Sequence, residues 1–134
     1  MKIRYVENKN GKLFSFYRHD FKEDIDEEQE YIFIDGGFDY TRCQGELKES
    51  DIYNLMPEIR EKFIWGQNYD EFENRLPKTI YKPLKDLSSS HIAGILRYFT
   101  EKIEGEMISK HWIALHLIFI YELENRLKND FKRI

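Results

Sequence analysis

The apolar residues of this 134-residue chain change their period at Ser50, and that change limits the folds open to it. Before Ser50 they alternate, as strand side chains do; after it they recur at about 3.6 residues, as on a helix face. Residues 2–7 and 12–18 flank Asn8-Lys9-Asn10-Gly11, and Asn-Gly favours a tight hairpin turn. In the second of these runs Leu13, Ser15 and Tyr17 oppose Phe14, Phe16 and Arg18. The acidic stretch 22–30 reads as a solvated connection. The run Tyr31-Ile32-Phe33-Ile34, the break at Asp35-Gly36-Gly37 and the run Phe38-Asp39-Tyr40-Thr41-Arg42 describe another hairpin. Its second strand places Phe38, Tyr40 and Arg42 on one face.

Past Ser50, residues Ile52, Leu55, Met56, Ile59 and Phe63 follow helical spacing, with Ser50 an N-cap candidate. Pro57 inside that pattern suggests a helix starting there, with proline at its first position; Trp65-Gly66 ends it. Residues 67–87 hold Pro77 and Pro83 and read as an ordered loop anchored by Phe72, Leu76, Ile80, Tyr81 and Leu84. Ser88, Ser89 and Ser90 are N-cap candidates for a helix whose stripe is Ile92, Ile95, Leu96, Phe99 and Ile103. Gly105 breaks it. A final helix from about Met107 to about Asn129 is apolar on nearly every side, which predicts that a second subunit covers part of it. The expected fold is a single α+β domain, 1–134: an antiparallel sheet of about four strands, then three helices, the last two forming an oligomer core.

Composition narrows the function. The charged fraction is 34% and the formal net charge is −4, so no whole-molecule field attracts nucleic-acid backbones. One cysteine, Cys43, excludes an internal disulfide and a cysteine-based zinc site within one chain, and suits a reducing cytoplasm. Met1-Lys2-Ile3-Arg4 opens no signal-type apolar stretch, and the longest apolar run, 112–121, is too short to span a bilayer. Histidines 19, 91, 111 and 116 show no metal-ligand spacing, and no metal or other cofactor is expected. No nucleophile elbow or phosphate loop occurs. Nothing in the residues asks for an enzyme.

A binding pocket fits better. Phe14-Phe16-Arg18 and Phe38-Tyr40-Arg42 have the same form, two rings and a guanidinium along one face. If the two runs are neighbours, the arginines converge beside rings, as a phosphorylated, base-containing small molecule requires. The other reading is that the rings are core and the arginines pair with the abundant acids. Ser90 and His91 stand at a helix start, where backbone N–H groups favour anions. Arg126 is four residues from Glu122, either its ion-pair partner or a group reaching a neighbour's pocket.

At these residues the chain resembles a widespread family of small bacteriophage proteins, the first type of Thoeris anti-defence protein. The resemblance rests on Arg18-His19-Asp20-Phe21, Asp35-Gly36-Gly37-x-x-Tyr40-x-Arg42 and Trp65-Gly66. It continues through Pro83-Leu84-Lys85-Asp86-Leu87, His91-Ile92-x-x-Ile95-Leu96 and Glu122-Leu123-Glu124-x-Arg126. It implies a homo-oligomer, dimer-based and hexameric, that sequesters cyclic ADP-ribose isomers, or cyclic oligonucleotides, without cleaving them in an infected bacterial cytoplasm. Arg18, Arg42 and Arg126 would then neutralise phosphates, Phe38, Tyr40, Trp65 and Tyr81 would stack on bases, and Ser90 and His91 would donate hydrogen bonds. Two features depart from the family: residues 100–110 are longer than its usual spacing, and Ser90 stands where asparagine is typical. The rival readings are a protein that masks a host protein by direct binding, and a phosphodiesterase that destroys the messenger.

Overall fold

Two of the tightest turns in the chain are built where glycine permits them. In the computed structural model, which describes residues 1–70, 72, 74–103 and 109–132, strand β1 (Lys2–Asn8) turns at Asn10-Gly11 into β2 (Gly11–Leu13). The pairing Asn8↔Gly11 and Val6↔Leu13 is antiparallel. Further on come β3 (Lys22–Ile25), β4 (Tyr31–Asp35), β5 (Arg42–Gln44) and β6 (Lys48–Asp51). They form two three-stranded antiparallel sheets, ordered β2-β1-β6 and β3-β4-β5. The fold is therefore mixed α and β with antiparallel sheets and three α-helices: α1 (Ile52–Lys62), α2 (Ser89–Ile103) and α3 (Lys110–Lys132).

The chain divides into two compact units, Met1–Leu55 with Ser109–Leu115, and Met56–Ile108 with His116–Ile134. In the first, β1 lies against β4, and Val6, Ile32 and Ile34 make a core that Leu13 and Cys43 flank. The rings of Tyr5, Phe14 and Phe16 form a cluster of their own, with centroids 6.0 and 5.6 Å apart. The connection expected at 22–30 is instead strand β3 and a turn. The Asp26 carboxylate organises that turn by accepting the backbone N–H groups of Lys9, Glu28 and Glu30.

The second unit centres on a ring cluster. Phe63 meets Phe119 edge-on at 5.5 Å, and Trp65 meets Phe119 at 5.3 Å and Phe99 at 6.1 Å. Residues expected as a loop form an antiparallel ribbon of β7 (Ile64–Tyr69) and β8 (Arg75–Pro83), so Trp65-Gly66 begins a strand. An irregularity between Gln67 and Tyr69 absorbs extra β8 residues, Pro77 among them, and this hid the strand pattern.

Helix boundaries also moved. Helix α1 starts at Ile52 with Pro57 inside it, and Asp51 rather than Ser50 caps it, its Oδ1 accepting the Tyr53 N–H at 3.0 Å. Ser88 caps α2, accepting the His91 N–H at 3.2 Å. The break at Gly105, the start at Met107 and the side chain of Ile103 lie outside the described residues. On α3, Ala114, Leu115, Ile118, Phe119 and Glu122 are buried, whereas Ile113, Ile120 and Leu127, seven residues apart in turn, are exposed. Among the described residues no helix is long and apolar enough to cross a membrane.

Candidate functional site

In the first unit two loops, 14–20 and 36–41, are locked together. The Gly37 N–H donates to Ser15 Oγ at 2.9 Å, and Ser15 Oγ donates to the Asp20 carbonyl at 2.7 Å. The Asp20 carboxylate accepts the Phe16 N–H at 2.8 Å. Gly37 has φ +61°, and a Cβ there would lie 2.8 Å from the Tyr17 carbonyl carbon and oxygen, so only glycine allows this approach. Gly36, with φ +90°, lets the chain close from the Gly36 carbonyl to the Tyr40 N–H at 3.1 Å.

This geometry corrects the strand reading. Residues 14–18 and 38–41 are loop, not strand, so neither row of two rings and an arginine lies on a pleated face. The loops separate the side chains instead. Phe14, Phe16 and Phe38 turn inward, Phe38 being only 7% exposed, and they belong to the core. Tyr40 turns outward, 62% exposed, and the Arg18 guanidinium sits over its ring, 5.1 Å from the centroid. Arg18 has no carboxylate partner among the described residues. Arg42 pairs with Asp35 at 2.6 Å while 74% of its side chain faces solvent. That hydrogen bond, helped by the Gly36 N–H and by the charges of Arg42 and His19, holds the Asp35 carboxyl below the usual range. Arg18, His19, Tyr40 and Arg42 thus belong to one loop cluster that exposes two guanidiniums and a ring.

Around it the titrating groups are partly desolvated. Burial pushes the Tyr17 phenol up, with the Asp20 charge adding to it. The His111 ring meets Tyr17 edge-on at 6.2 Å, and burial lowers its pKa against the opposing pull of Asp39. Beside the loop opens a cleft of about 90 Å³ lined by Arg4, Glu49, Lys110, Thr41 and Phe38 among others. Sequence reasoning missed Arg4 and Lys110, because nothing local relates residues so far apart in the chain.

The other expected site residues lie in the second unit. Trp65 is committed to the ring cluster. Tyr81 is 72% exposed, its ring edge 3.2 Å from where a Gly66 Cβ would stand, so the ring lies over the glycine of the partner strand. Ser90 Oγ lies 3.2 Å from the capping Ser88 Oγ, and His91 occupies the first turn of α2. Arg126 is engaged on several sides. Its Nε donates to Glu122 at 2.9 Å, Nη1 to Ser89 Oγ at 3.1 Å, and Nη2 to the Leu84 and Lys85 carbonyls at 3.1 and 3.4 Å. That guanidinium ties the 3₁₀ turn Leu84–Asp86 and the start of α2 to α3. It makes the Glu122 ion pair that the sequence offered as one of two readings; the phosphate contact was implied only by the family resemblance.

Among the described residues no group of three His, Cys, Asp or Glu side chains is placed to hold a metal ion. No protein-family model matches the chain, and no curated protein or solved structure matches it significantly.

Proposed function

We propose that the protein is a sponge: it binds and sequesters a phosphorylated, base-containing small molecule of the cyclic nucleotide messenger class, without hydrolysing it. The observation that carries this reading is the Arg18 guanidinium lying over the exposed Tyr40 ring with no carboxylate partner among the described residues. A base stacks on such a ring, and a planar guanidinium beside it takes a phosphate through paired N–H donors. Arg42 adds a second exposed guanidinium, already oriented by Asp35. The resemblance to phage Thoeris anti-defence proteins points to cyclic ADP-ribose isomers as the first candidates, and to the cytoplasm of an infected bacterium as the place of action. The homo-oligomer expected of that family would pair through α3, along Ile113, Ile120 and Leu127.

A thermal-shift panel of cyclic ADP-ribose isomers and cyclic di- and trinucleotides tests the reading. A ligand bound only by the folded state raises the melting temperature. The shift should shrink as salt rises and vanish in Arg18→Gln and Tyr40→Ala. No shift with any member removes the proposal. Heating the complex and recovering the ligand separates sequestration, which returns it intact, from a phosphodiesterase, which does not.

A second reading has its own observation. The outer face of β3-β4-β5 carries exposed Phe21, Ile25 and Tyr31, and Phe21 stacks on Phe33 at 5.6 Å. An apolar face of that kind suits a protein partner. Direct masking of a host protein would be lost in Phe21→Glu and Tyr31→Glu, with small-molecule binding unchanged.

A further inference from the structure

We infer that the cleft of the first unit is a binding site for a phosphate-sized oxyanion, distinct from the Arg18–Tyr40 platform. Its volume is about 90 Å³, room for several waters. That space suits one tetrahedral oxyanion; a whole nucleotide needs a pocket of at least about 300 Å³.

The charges in its walls decide the sign of the ligand. Lys2 and Glu49 pair with each other at 3.5 Å and cancel, as do the Met1 ammonium, which also lines the cleft, and Asp51 at 3.6 Å. Arg4 and Lys110 remain, and neither has a carboxylate partner among the described residues. The cleft therefore holds a surplus of two positive charges in a chain whose net charge is −4. A metal cation would be repelled there, and a neutral ligand would leave the repulsion between the two cations in place. A dianion relieves it. The arginine offers two parallel N–H donors and the lysine a point charge, the usual division of labour around a phosphoryl group. Hydroxyls contribute less: Ser15 Oγ is engaged within the loops, and Thr41 Oγ1 donates to the Gly37 carbonyl at 2.7 Å. Phe38, buried at the cleft wall, supplies an apolar surface that strengthens the ion pairing.

The oxyanion is either free inorganic phosphate or the phosphoryl group of a nucleotide. Phosphorus-31 NMR on the full chain at low salt, titrating inorganic phosphate and AMP separately, tells the sources apart. Binding broadens the phosphorus line. Arg4→Gln and Lys110→Gln should each weaken binding by at least about tenfold, with circular dichroism melts showing that both variants fold. Glu49→Gln should tighten it severalfold. Broadening by phosphate and AMP alike, lost in both variants, assigns a site for the bare ion; broadening by AMP alone, lost in both variants, assigns the nucleotide's phosphoryl group. No broadening with either, or inorganic-phosphate broadening that survives in the double variant Arg4→Gln/Lys110→Gln, overturns the inference. A messenger panel without any thermal shift would remove the sponge reading and leave this result standing.

Discussion

Arg60 holds the fully buried Glu122 carboxylate through two nitrogens, Nε to Oε1 at 2.9 Å and Nη2 to Oε2 at 3.1 Å. A carboxylate without solvent costs several kcal/mol unless its lone pairs are met. Arg126 meets the remaining demand at Oε2 and carries the connection on to Ser89 and the Leu84 carbonyl. Glu122 is thus the hub through which α1, α3 and the start of α2 share one polar network.

Glu122→Ala should lower the unfolding free energy by about 3 kcal/mol, because it leaves two guanidiniums without their anion. Urea denaturation measures it. A loss under about 1 kcal/mol would mean that water replaces the carboxylate at little cost.

Acid should destabilise the first unit in two stages. Burial lowers the His111 pKa, so below its ordinary 6.5 the unfolded chain binds the proton more readily and stability falls with pH. Asp26 is also depressed, first by the Glu30 N–H and then by those of Lys9 and Glu28. Its contribution is present above its ordinary 3.8 and is lost as pH falls through the lower folded value. His111→Gln should flatten the first stage and Asp26→Asn the second, read from melting temperatures between pH 7 and pH 2.

Gly36 and Gly37 should tolerate no side chain. A Cβ at Gly36 would lie 1.9 Å from the Tyr40 carbonyl oxygen, and one at Gly37 2.8 Å from that of Tyr17. Either alanine variant should cost more than about 2 kcal/mol and displace Tyr40 from Arg18. Gly36→Ala should be the worse of the two, and an unchanged melting temperature in either would contradict the loop geometry.

The pairing proposed along α3 predicts that charges on its exposed face separate copies without unfolding them. Ile120→Glu with Leu127→Lys is the variant, and light scattering after size exclusion is the measurement. A mass unchanged from that of the parent protein would show that copies do not pair along this face.

Features encoded within a few residues were legible from the start. The Asn10-Gly11 and Gly36-Gly37 turns join the strand pairs β1-β2 and β4-β5. Ser88 caps α2, and Glu122 and Arg126 pair across one helical turn. Each depends on local dihedral preference or on helix spacing, and both are written in adjacent letters.

Tertiary structure decided the rest. It sent Phe38 into the core and Tyr40 into solvent, although strand alternation would put them on the same side. It gave Glu122 a second arginine from sixty-two residues away and put Arg4 and Lys110 on the lining of one cleft. It also divided α3 into a buried stripe and a bare one. These outcomes depend on which surfaces exclude water together, a sum over distant parts of the chain that no local pattern contains.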